Sequence, residues 1–170
     1  MGRYVNWAHG NALTVESPER VESGGYHFGW GAEVTIRSGE GSWFHVPLPV
    51  PAIIDGYPVY LHRAFLLFKT EANATLRAVH IYDGPRTVQE FNELHFSGDF
   101  TRLIVQANTY TPRVPHLVQR GIGLSFFVQG TLGPVSNRLV VPAAGAEYAL
   151  ARPILSTVAR LLDNVTRRGR

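Results

Sequence analysis

Four histidines in this sequence stand two positions from an aromatic residue: Trp7/His9, Trp43/His45, Tyr60/His62 and His80/Tyr82. Residues i and i+2 of a strand share a face, so each pair sets a flat ring beside a titratable, hydrogen-bonding group. Two kinds of chemistry use that combination. Aromatic planes with a few polar tips hold a sugar, a flat metabolite or a peptide. A histidine with its ordinary pKa of about 6.5 can serve as a general base at neutral pH. For binding, Trp7, His9, Trp43 and His45 are expected to line one concave surface, because Trp43 and His45 must face away from any core that takes Phe44, Val46 and Leu48. For catalysis, His45 or His9 would be the base and Asp83 or Asp99 its orienting carboxylate. Strands favour Tyr and Trp in any case, and side chains with an apolar body inward and a polar tip outward produce the same pairs without any site.

Other chemistries lack their residues. The chain has no cysteine, which removes disulfides, zinc thiolates, iron–sulfur clusters and thiol nucleophiles. Gly-x-Ser-x-Gly, His-Glu-x-x-His, the P-loop and the calcium loop are all missing from the sequence. GIGLSF and GWGAEV lack the third glycine of a dinucleotide fingerprint, and neither is joined to the His-x-His of a metal-binding jelly roll. No metal and no cofactor is therefore expected. Arg63, beside His62 in an apolar run, needs a buried partner, for which Asp83, Asp99 and Glu33 are the candidates.

The elements that must position these residues are strands. Alternation is plain in AEVTIR and in GIGLSFFVQ, where Ile122, Leu124, Phe126 and Val128 oppose Gly123, Ser125 and Gln129. VYLHRAFLLFKT, residues 59–70, is apolar in both phases and reads as a central strand covered on both sides. Turn residues such as Asp55-Gly56, Asp83-Gly84-Pro85 and Ser97-Gly98-Asp99 separate such runs. The expected fold is all-β: an antiparallel β-sandwich or jelly roll, with a small barrel as the alternative. Pro47, Pro49 and Pro51 delete donors from one side of a strand only, which suits a protected edge; an unpaired polyproline-like connector is the other reading.

One helix is expected, at the end. Ile154, Leu155, Val158, Leu161, Leu162 and Val165 follow helical spacing after Pro153, ahead of Arg167 and Arg168. Residues 1–148 then form the sandwich domain and 149–170 a linker and a basic amphipathic helix. The apolar stripe must dock on its own sandwich, on a second copy or partner protein, or, least favoured, on a membrane surface. From Arg152 onward there are five arginines and one aspartate, net +4, which against +3 for the whole chain leaves the body at −1. A nucleic-acid partner is therefore not expected. The N-terminus has Asn6, His9 and Glu16 where a secretory leader needs an unbroken apolar stretch, so a cytoplasmic protein is expected.

Several short motifs in one order, WAHG (7–10), GWG (29–31), SWFH (42–45), VHIYDGP (79–85) and SGD (97–99), resemble an uncharacterised bacterial family of small all-β proteins over about residues 5–148. The resemblance implies a single domain and carries over no catalytic residue. The sequence thus points first to a non-catalytic binding or interaction domain, with homo-oligomer or partner contacts through the terminal stripe. A cofactor-independent isomerase, cyclase or hydrolase, and a structural assembly subunit, are the alternatives.

Overall fold

The computed structural model describes residues 2–22, 25–71, 74–133 and 137–151. The helix expected over 153–168, and the association expected through Ile154, Leu155, Val158, Leu161 and Leu162, lie outside the described residues. Fourteen strands are described: β1 Arg3–His9, β2 Thr14–Val15, β3 Tyr26–Phe28, β4 Gly31–Ile36, β5 Gly41–Leu48, β6 Ile53–Ile54, β7 Tyr57–Thr70, β8 Ala74–Asp83, β9 Arg86–Phe91, β10 Asp99–Phe100, β11 Thr109–Tyr110, β12 His116–Leu117, β13 Ile122–Gly130 and β14 Asn137–Leu150. They form two antiparallel sheets. The smaller runs β2-β5-β13-β8-β9; the larger runs β10-β7-β14-β4-β3, with β1 on β14 and the short β6, β11 and β12 on β7.

Alternation decides the packing. Phe44, Val46 and Leu48 of β5, Ile122, Leu124, Phe126 and Val128 of β13, and Leu76, Val79 and Ile81 of β8 are buried, and with Leu61, Leu66, Phe68, Leu139 and Val141 of the larger sheet they make one core. Phe44 stacks on Phe126 at 5.6 Å. Each such side chain contributes about 1.5–3 kcal/mol on burial, which holds the sheets face to face and turns every intervening residue outward.

β7, expected as a central strand apolar in both phases, owes part of that pattern to a bulge. Its pairing with β14 shifts register between Glu147↔Arg63 and Tyr148↔Leu61, leaving His62 as an extra residue. The phase flips there, so Val59 and Leu61 share the inner face with Ala64, Leu66 and Phe68. Among the described residues the outer face is covered at Phe65 by the Trp7 indole, which stacks on it at 5.6 Å and leaves it only 4% exposed. Gly145 lies between them, where a Cβ would come within 2.6 Å of the indole.

The proline question resolves on β5. The strand continues through Pro47 and ends at Leu48, so Pro49 and Pro51 belong to the connection that follows. β2 covers only Phe44 and His45, and the Glu16 N–H donates to the Trp43 carbonyl, so the odd-numbered residues of β5 address that edge. Pro47, beyond the two residues that β2 pairs, therefore removes a donor from that same edge.

The short turn Gly10–Ala12 that leads from β1 toward β2 packs against β14 at Gly10, where a Cβ would meet the Val141 carbonyl oxygen at 1.8 Å. Neither partner in that contact is a flexible side chain. Gly10→Ala should lower stability by about 1–3 kcal/mol, seen as a lower urea midpoint with an unchanged slope.

Candidate functional site

Strand register assembles one ring-lined trough on the outer face of the smaller sheet. Ser125 of β13 lies opposite His45 of β5 and His80 of β8; Phe127 lies opposite Trp43 and Ala78; Gly123 lies opposite Pro47 and Tyr82. Trp43 closes one end, 4.7 Å from His80 and 5.4 Å from Phe127 between ring centroids. Gly123 and Ser125 form the floor. A Cβ built on Gly123 meets nothing within 4 Å, so the space above it is open. Trp43 and His80 reach each other from the strands on either side of β13, so the face is closed on that side and open over Gly123.

The polar groups of the trough are held in place. The His80 Nε2–H donates to the Asn92 side-chain Oδ1 at 2.8 Å, leaving Nδ1 to accept from the Tyr82 hydroxyl at 3.4 Å. On the other wall His45 Nε2 meets a Glu16 carboxylate oxygen at 3.1 Å and Nδ1 meets the Ser125 hydroxyl at 2.8 Å. Ser125, His45 and Glu16 thus make a hydrogen-bonded chain with the residue types of a nucleophilic triad. Such a triad also needs donors for an oxyanion. β13 is paired on both sides, so the N–H groups flanking Ser125 are committed to the ladders of β5 and β8 and none points above its hydroxyl to stabilise an oxyanion. The chain orients the imidazole.

The four residues expected on one surface are divided. Trp43 and His45 line the trough; Trp7 and His9 lie on the outer face of the larger sheet, which points the opposite way, because β1 pairs with β14. His9 is also occupied, since Nδ1 accepts from the Asn11 N–H at 3.3 Å and Nε2–H donates to the Gly29 carbonyl at 3.2 Å. The ring pairs therefore sort by sheet: Trp43/His45 joins His80/Tyr82 on one outer face, and Tyr60/His62 shares the other with Trp7/His9. Neither expected aspartate orients a trough histidine. Asp99 accepts from the Thr101 hydroxyl and N–H, and Glu16 holds the place beside His45. Arg63 finds a different partner too: it donates twice to Glu147, which also takes Arg3. These two cations outweigh the burial that alone would raise the Glu147 pKa, and hold it below the ordinary value.

Residues 1–129 match the profile of a family described as a family of unknown function, DUF6623. The chain belongs to that family. No curated protein matches it. Among solved structures the chain is similar to a low-affinity xylan-binding module, CBM86, from the gut symbiont Roseburia intestinalis, with 9% identity over 86% of this chain and 96% of that one at a TM-score of 0.48. It is also similar to the xylan-binding module CBM15, with 13% identity over 89% of this chain and 99% of that one at a TM-score of 0.47.

Within this DUF6623 domain Asp83 has a structural part that its sequence context did not reveal. Only 1% exposed, it accepts from His116 Nε2 at 2.9 Å and from the N–H groups of Gln119, Arg120 and Gly121 at 2.8, 2.8 and 3.1 Å. The carboxylate thereby pins the β12–β13 connection to the end of β8. Burial pushes its pKa up, but the bonds from His116 and the three N–H groups together hold it below the ordinary value. A folded-state pKa below the unfolded one, near 3.9, gives stabilisation that is complete above that value and lost as pH falls through the folded pKa. Asp83→Asn should cost about 3 kcal/mol at pH 7, and its deficit against the parent should shrink below about pH 4 when unfolding free energies are measured across pH.

Proposed function

We propose that this is a non-catalytic binding domain that holds a neutral saccharide in the trough of its five-stranded sheet. Support comes from the chemistry of the walls. Trp43, Phe127 and Tyr82 offer apolar ring surface, while the Ser125 hydroxyl and the Asn92 amide, held in orientation by His45 and His80, keep hydrogen-bonding capacity for a ligand. A sugar ring has the same two characters, an apolar C–H face and a rim of hydroxyls. Charge narrows the class further. Glu16 and Glu90 border the trough, Glu90 standing opposite His80 across the β8–β9 pair. Carboxylates there repel an anionic ligand, so phosphates and acidic sugars fit poorly.

The observation that carries the reading is the open floor at Gly123. Elsewhere on β13 the outward positions bear side chains, and here alone the backbone is bare between Pro47 and Tyr82. A central strand with a glycine loses stability unless something approaches its backbone. A ligand seated on that floor is the approach we infer.

The test is a pair of substitutions read by titration calorimetry and affinity electrophoresis against neutral oligosaccharides derived from xylan, cellulose, mannan and galactan. Gly123→Val suits a strand and meets no neighbour at its Cβ, so the variant should fold normally and lose binding by filling the trough. Trp43→Ala should weaken binding at least about tenfold. If the valine variant binds as tightly as its parent, the trough is not the site.

A further inference from the structure

We infer that the outer face of the larger sheet carries a second saccharide platform, formed by Tyr26, Phe28 and Trp30, so that one domain engages two sugar segments at once. The inference rests on the saccharide reading of the trough and extends it to a surface pointing the opposite way.

Three large rings are exposed on one hairpin. Tyr26 is 57%, Phe28 40% and Trp30 47% exposed. They are ordered relative to one another: Phe28 and Trp30 stack at 4.9 Å with 11° between planes, and Tyr26 lies 6.2 Å from Phe28. Tyr26 stands opposite Glu33 and Phe28 opposite Gly31, which places both on the outer side of β4, away from the core that takes Ala32, Val34 and Ile36. Clustered exposed rings of this kind mark an interaction surface.

The backbone beneath them is clamped. His9 Nε2–H donates to the Gly29 carbonyl, and the Asn11 amide donates to the Phe28 carbonyl at 2.9 Å. Gly31, at φ 147°, lies so close to β14 that a Cβ would fall 2.5 Å from the Val141 carbonyl oxygen. Rings presented on a fixed turn lose little further freedom when a ligand lands on them.

Charge selects the occupant. Around this face Arg138 is bonded to both Glu33 and Glu71, and Arg63 and Arg3 close on Glu147. Among the described residues each of these arginines is bonded to a carboxylate, Arg3 and Arg63 sharing that of Glu147, so none of them stands as an unpaired cation for a phosphate or an acidic peptide. A neutral ligand with a flat apolar face suits the rings, and the Tyr26 hydroxyl and Trp30 indole N–H ride on exposed side chains where they reach its hydroxyls. Because the two platforms face away from each other, one short oligosaccharide cannot span both.

The experiment compares the parent chain with Trp30→Ala and Trp43→Ala, using the same xylan, cellulose, mannan and galactan oligosaccharides in calorimetry and the parent soluble polysaccharides in a precipitation assay. The expected result is two oligosaccharides bound per parent chain and one per chain of either variant, with precipitation lost in both variants. Trp30 is exposed, so its substitution should leave the melting temperature unchanged and any loss of binding is local. One oligosaccharide per parent chain, abolished by Trp43→Ala and untouched by Trp30→Ala, overturns the second platform and leaves the trough standing. A dimer in sedimentation that Trp30→Ala dissociates assigns the rings to a second copy of the chain and also overturns it. Absence of binding to every probe by the parent chain removes both platforms together.

Discussion

The register of β13 between β5 and β8 is the constraint on which the rest of the structure depends. With a period of two, a slip of one residue would bring Gly123, Ser125 and Phe127 inward and drive Leu124 and Phe126 into water. The fully buried Phe126, Leu124 and Phe44 oppose that slip. The energy that fixes the outward face therefore comes from the inward one. His45, Ser125 and His80 stand in one row because the hydrophobic core leaves them no other arrangement.

Polar interactions finish what burial begins. Asp83 gathers four donors at the mouth of the β8–β9 hairpin and fixes the connection that leads into β13, so the strand carrying the trough floor enters the sheet from an anchored point. On the larger sheet Glu147 joins Arg3 of β1 to Arg63 of β7 across β14. That bridge spans the three strands beside the place where Trp7 lies over Phe65. Both carboxylates are buried and both are paired, as the cost of burying a lone charge requires.

The two faces differ in how their aromatic residues are used. In the trough the rings flank an open floor and tilt toward one another, Trp43 at 50° to His80. On the larger sheet Trp7 is spent as a cover, lying flat over Gly145 and Phe65, while the β3–β4 hairpin holds its rings away from the body. Aromatic content alone does not separate a ring that seals a surface from one that offers it. The neighbour beneath the ring does.

Much of this was legible in the chain by itself. The alternation of β4, β5 and β13, the turn glycines and the want of a helical stretch within the body determined an all-β sandwich, and Phe44, Val46 and Leu48 inward required Trp43 and His45 outward, because side-chain direction along a strand is a local property. An uncharacterised family was also expected from the sequence, and the profile match over residues 1–129 shows one. What tertiary structure alone decided was which strands became neighbours. β1 pairs with β14, more than a hundred residues away, so Trp7 and His9 left the surface of Trp43. Glu16 reached His45 through a strand of two residues, too short for a periodic signal, and His62 entered as a bulge that reversed the phase of β7. Pairing between distant strands is set by how all the apolar faces close together at once, and no stretch of sequence contains that information.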